Sequence, residues 1–127
     1  MFDTVLVANR GAIATRILRT LRRMDIRSVA VYADCDADSL HVRQADQAFC
    51  LGEGGAAETY LNMERILEVA RESGAQAIHP GYGFLSENAE FVRRCEAAGI
   101  AFIGPTPEQM QAFGLKHRAR DLAEAIR

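Results

Sequence analysis

Short, nearly continuous apolar runs alternate with longer stretches in which hydrophobic residues recur every three or four positions, a pattern of strands separated by helices. Thr4-Val5-Leu6-Val7-Ala8 predicts the first strand. Ile13, Ile17, Leu21 and Met24 then recur on one face of a predicted helix, which should lie against the sheet, while Arg16, Arg19 and Arg23 form a second stripe. Ser28 to Tyr32 predicts a second strand, Leu40 to Ala45 a short helix, and Gln47 to Leu51 a third strand ended by Gly52-Glu53-Gly54-Gly55. A helix is expected from Leu61 to Glu72, with Met63, Ile66, Leu67 and Ala70 inward and Gly74 beyond its end. Ala75 to Ile78 predicts the fourth strand. Ser86 is expected to cap the next helix by accepting an orphan amide, with Glu87 at its positive end. Phe91, Val92, Cys95 and Ala98 supply that helix's packing side, and Gly99 ends it. Ile100 to Ile103 predicts a fifth strand, followed by a brief helix from Glu108 to Phe113 and a last one starting near Lys116. That last helix carries Leu115, Ala119, Leu122, Ala123 and Ile126 at helical spacing and meets no capping glycine or proline before Arg127. The chain is therefore expected to be a piece of a longer protein.

Strands with apolar side chains at successive positions need cover on both sheet faces. The expected class is α/β: a Rossmann-like parallel sheet with helices on both faces. At 127 residues the chain fits one domain, yet is short for an enzyme that must enclose two substrates and a nucleotide. A formal net charge of -2 gives no general electrostatic reason to bind nucleic acid or an anionic membrane. Cys35, Cys50 and Cys95 are widely separated and form neither a CxxC pair nor a cluster at metal-ligand spacing, so no metal site is expected. Cys50 and Cys95 read as small buried hydrophobes in a reducing, cytoplasmic setting. No run approaches the length of a membrane span, and Met1-Phe2-Asp3 does not open an export signal.

The candidate chemistry concentrates in His79-Pro80-Gly81-Tyr82-Gly83-Phe84-Leu85-Ser86-Glu87, where a strand runs into a helix on the carboxyl edge of the sheet. Gly81 and Gly83 permit an open backbone and close approach by a ligand, while Tyr82 offers a flat ring and a hydroxyl. His79 reads as a hydrogen-bonded histidine at the strand end, with a base as the competing role. The first turn, Asn9-Arg10-Gly11, lacks both the GxGxxG and the GxxxxGK[ST] fingerprints. Gly11 there reads as a tight turn into the helix, and Arg10 as either an anion contact or a solvated or domain-contacting side chain. Asp34, Asp36 and Asp38 read as solvent-facing turn residues. Lys116 at a helix start is unfavourable beside the positive dipole end unless a phosphate bridges it to free amides. His117 reads as a surface residue.

Taken together, these residues resemble the N-terminal domain of biotin carboxylase, the ATP-grasp component of biotin-dependent carboxylases. The likeness runs through Val7-Ala8-Asn9-Arg10-Gly11, Ala33-Asp34 with Asp36 and His41-Val42, Ala45-Asp46, Tyr60-Leu61-Asn62, His79 to Asn88, and Phe102-Ile103-Gly104-Pro105. Phe113-Gly114-Leu115-Lys116-His117 departs from the common family form, in which an aspartate precedes the lysine. That wording, with Arg16-Ile17-Leu18-Arg19-Thr20-Leu21-Arg22-Arg23, is closer to urea and guanidine carboxylases than to acyl-CoA carboxylases.

The resemblance implies residues 1–113 as the domain preceding an ATP-grasp domain and residues 114–127 as the start of the segment leading into it. It also implies the chemistry of the intact enzyme. Bicarbonate attacks the γ-phosphate of ATP with Mg2+ present, and the resulting carboxyphosphate supplies carbon dioxide to biotin. Lys116 would touch nucleotide phosphate, Tyr82 and Gly83 would border the biotin ring, and Glu87 would help organise the charged network there. Arg19 would lie toward a homodimer contact. The implied partners are the remaining ATP-grasp and biotin carboxylase C-terminal domains, a biotin carrier and a carboxyltransferase, with ATP, Mg2+ and biotin as cofactors of the intact enzyme and none demonstrable for the isolated chain. Competing readings are an acyl-CoA or pyruvate carboxylase, a carbamoyl-phosphate-forming ATP-grasp ligase, a dinucleotide oxidoreductase and a noncatalytic interaction domain.

Overall fold

A computed structural model describes residues 2–104 of the chain. The expected helices at Glu108 to Phe113 and from Lys116, and the roles given to Lys116 and His117, lie outside the described residues. In chain order the elements are β1 (Thr4–Val7), α1 (Gly11–Arg23), β2 (Arg27–Ala33), α2 (Leu40–Gln44), β3 (Gln47–Gly52), α3 (Met63–Ser73), β4 (Ala77–His79), α4 (Ala89–Ala97) and β5 (Ala101–Phe102). All five strands join one parallel sheet in the order β3-β2-β1-β4-β5. The α/β class and the alternation read from the hydrophobic pattern are thus both present. No helix among the described residues is long and apolar enough to cross a membrane.

Two apolar layers hold the sheet between its helices. On one side Leu6, Val29, Val31 and Ile78 meet Ile66, Leu67 and Ala70 of α3 and Phe91 and Cys95 of α4. On the other, Val5, Val7 and Ala77 meet Ala14, Leu18 and Leu21 of α1. Successive residues of β1 therefore serve opposite cores, which is why its apolar run is unbroken. Burial pushes the Cys95 thiol up to about 12, as befits an inert core residue, whereas Cys50 is only half-buried.

Several local expectations change. The inward stripe of α1 is Ala14, Thr15, Leu18 and Leu21, while Ile13 and Met24 are exposed. Ile17 stays half-buried against the core, as expected, and with the exposed Ile13 and Met24 lines an apolar groove of about 980 Å³ that also includes Phe2, Ile103 and Tyr82. The helix thus carries two adjacent apolar stripes, and the one with Ala14, Leu18 and Leu21 is the more deeply buried. The fourth and fifth strands are shorter than the apolar runs that predict them, and Ala98 lies exposed beyond the end of α4.

The cap of α4 is Asn88, whose side chain accepts the Phe91 amide at 2.9 Å, not Ser86. Ser86 sits two residues earlier, in a turn closed by its own N–H to the Gly83 carbonyl at 2.9 Å. Glu87 consequently stands outside the helix, and Glu90 is the acidic residue of the first turn. α3 is capped in the same way by Asn62 and ends at Gly74, in the left-handed conformation at φ 72°. Replacing Asn88 with alanine should lower unfolding free energy by about 1 kcal/mol, and Ser86→Ala by a few tenths at most. Urea denaturation of the two variants checks this.

Candidate functional site

The site lies on the carboxyl edge of the sheet, where β1 and β4 run side by side and both chains leave it. Parallel pairing carries Ala8 past the end of β1, its amide donating to the His79 carbonyl at 2.9 Å. The next residue, Asn9, is buried with 1% exposure. Its Nδ2 donates to the carbonyl of Pro80 at 2.8 Å and to that of Tyr82 at 2.7 Å. Its Oδ1 accepts the Arg10 amide at 2.8 Å. The elbow of residues 79–87 is thus fastened to the turn between β1 and α1.

Three of the four residues from Gly81 to Phe84 adopt positive φ: Gly81 at 66°, Gly83 at 73° and Phe84 at 45°. Glycine is required at Gly81 by space as well, since an added Cβ would lie 2.8 Å from both Asn9 Nδ2 and Ile13 Cγ2. At Gly83 nothing lies within 4 Å of that position, so its face is open to an approaching group. Tyr82 between them is 79% exposed. His79 Nδ1 accepts the Gly81 amide at 3.1 Å, and burial lowers the imidazole pKa, so the ring is neutral near pH 7 and holds the loop as an acceptor. Glu87 is exposed.

The second anchor is a polar network. Arg10 donates from Nε and Nη2 to the two oxygens of Asp36 at 2.9 and 2.7 Å. Tyr60 Oη donates to Asp36 Oδ2 at 2.8 Å and accepts the Ala33 amide at 3.0 Å. The Phe84 ring stacks on Tyr60 with centroids 5.1 Å apart, and the Arg10 guanidinium lies 5.9 Å from the Tyr60 ring centroid. The hydrogen bonds from Arg10 hold the Asp36 carboxyl below its ordinary value. Burial pushes the Tyr60 phenol up to about 12.

Asp36 is therefore a buried partner rather than a solvent-facing turn residue; Asp34 and Asp38 are exposed as expected. A carboxylate that far from water is tolerated because a guanidinium and a hydroxyl replace its hydration. Arg10, left open between anion contact and solvent, is committed to Asp36. Gly11 makes the turn into α1 at φ 63°. Arg19 lies exposed on α1, away from the inward stripe. The structure brings together Asn9, Arg10, His79, Gly81, Tyr82 and Gly83. Tyr60 and Asp36 join them; residue chemistry alone assigned neither a place at the site, although both stand in fragments that carry the family resemblance.

Residues 1–110 match the biotin carboxylase N-terminal domain. The biotin carboxylase of Halalkalibacterium halodurans is 57% identical over 120 residues, which cover 94% of this chain and 26% of the relative. The urea amidolyase of Saccharomyces cerevisiae is 54% identical over 124 residues, 98% of this chain and 7% of the relative. The crystal structure of the Kluyveromyces lactis urea carboxylase superposes with a TM-score of 0.89 at 55% identity, over 98% of this chain and 11% of that one. The chain thus spans about a quarter or less of these relatives.

Two of the shifted groups at the site, His79 and Asp36, make stability fall with acid. His79 and Asp36 each have a lowered folded-state pKa, so the unfolded chain binds protons that the folded chain refuses. The contribution of His79 is complete above its ordinary value of 6.5 and is lost as pH drops through its lower folded value. That of Asp36 is complete above 3.8 and is lost at still lower pH. Urea midpoints measured from pH 8 downward should show the first decline in the parent and not in His79→Leu. Tyr60→Phe strands the buried Ala33 amide and should cost about 1–3 kcal/mol at any of these pH values.

Proposed function

The chain belongs to the biotin carboxylase N-terminal domain family, and on that premise we propose that it opens a longer ATP-dependent enzyme that carboxylates biotin with bicarbonate. The observation that carries this reading is the fastened elbow, which presents Tyr82 outward beside the open face of Gly83. A flat ring with a hydroxyl next to a side-chain-free backbone suits the ureido ring of biotin, and these two residues would border it. Glu87, exposed one turn further on, would help organise the charged groups around that ring. Lys116 would hold nucleotide phosphate.

ATP would supply the phosphoryl group that activates bicarbonate. By the same family reading, the Mg2+ carboxylates would lie in the remainder of the enzyme. That remainder would comprise the ATP-grasp and biotin carboxylase C-terminal domains, a biotin carrier and a carboxyltransferase. Arg19 would face a homodimer contact. The Gly114-Leu115-Lys116-His117 wording favours urea or guanidine as the final acceptor. The reaction would belong to the cytoplasm.

A coupled ATPase assay with bicarbonate and free biotin tests the reading. The intact enzyme is expected to cleave ATP in a bicarbonate-dependent way, and the purified 127-residue chain is expected not to. Lys116→Ala in the intact enzyme should lower kcat/KM for ATP by on the order of 100-fold. Bicarbonate-independent behaviour of the intact enzyme, or full turnover by the short chain, would overturn it.

A further inference from the structure

We propose that Asn9 is the positioning residue of the biotin-facing elbow, its side-chain amide setting where Tyr82 projects. This rests on the carboxylation reading and extends it to a residue that touches no substrate. The tyrosine side chain is 79% exposed, so little of the domain holds the ring itself. Its place is inherited from a backbone that passes through positive φ at Gly81, Gly83 and Phe84. Such a path forms no ladder with a neighbouring strand, and its carbonyls need donors from elsewhere.

Asn9 is that donor. One NH2 group reaches the Pro80 and Tyr82 carbonyls, on either side of Gly81, at 2.8 and 2.7 Å. The same side chain fills the space that a Cβ on Gly81 would need, so amide and loop are in direct contact. Arg10, the next residue, braces the other end of the elbow through Asp36, Tyr60 and the stacked ring of Phe84. An asparagine suits the first post because it donates twice and still accepts the Arg10 amide. Aspartate has the same shape and no donors, and would aim lone pairs at two carbonyls.

Asn9→Asp in the intact enzyme therefore separates position from shape. KM for free biotin should rise on the order of 10- to 100-fold, while kcat extrapolated to saturating biotin changes much less. Hydrogen exchange of the peptide spanning Pro80 to Leu85 should quicken while that of β1 and β4 does not. Gly81→Ala, which presses on the same amide from the loop side, should reproduce the KM effect and serves if Asn9→Asp does not accumulate. An unchanged KM in these variants, with Tyr82→Ala raising it, would overturn the positioning role and leave the carboxylation reading standing. If Tyr82→Ala also left KM unchanged, the elbow would not face biotin, and both would fall. Equal losses in every parameter would mark Asn9 as merely structural and overturn the proposal.

Discussion

One buried amide decides the shape of this domain's functional edge. Asn9 lies where β1 ends beside β4, too deep for water to satisfy its polar atoms. Leaving a single buried donor or acceptor unpaired costs about 1–3 kcal/mol, so the side chain fits only if the passing backbone offers carbonyls at the right places. The Pro80 and Tyr82 carbonyls do so, and the loop is bent around that requirement. The glycines allow the bend; the asparagine selects it.

The neighbouring network works by the same logic with charge added. Asp36 is taken out of water and given two hydrogen bonds from Arg10 and one from Tyr60. Each member is satisfied by another, so the group behaves as a unit, and losing one partner would leave a buried charge or amide exposed to a low-dielectric interior. Through the Phe84 and Tyr60 stacking, this unit fixes the far end of the elbow. Two adjacent residues of one turn, Asn9 and Arg10, thereby control a segment some seventy positions away. Rigidity is concentrated where a ligand would need a prepared surface, and Tyr82 itself is left free of packing.

Outside that edge the domain follows ordinary parallel-sheet physics. Successive apolar residues of β1 feed two separate cores, and Ala14, Leu18 and Leu21 of α1 pack into one of them. The second apolar stripe of α1 keeps only Ile17 against the core and opens, through Ile13 and Met24, on the groove shared with Tyr82. The chain covers about a quarter or less of these relatives.

Much was legible in the chain itself. The alternation of unbroken apolar runs with helical spacing specified five strands and a sheet covered on both faces, because residues buried on two sides leave no polar positions. The run from His79 to Glu87 marked the elbow, since paired glycines around an aromatic are costly unless a turn requires them. What the chain could not show was which stripe of α1 lies deepest against the sheet, that Asp36 alone of the three aspartates is buried, that Asn88 and not Ser86 caps α4, or that Asn9 reaches across to Tyr82. Those facts depend on strand order: β4 inserts next to β1 and brings residues seventy positions apart within hydrogen-bond distance. Periodicity records which side chains must leave water. Only the assembled sheet determines which polar groups meet once they have left it.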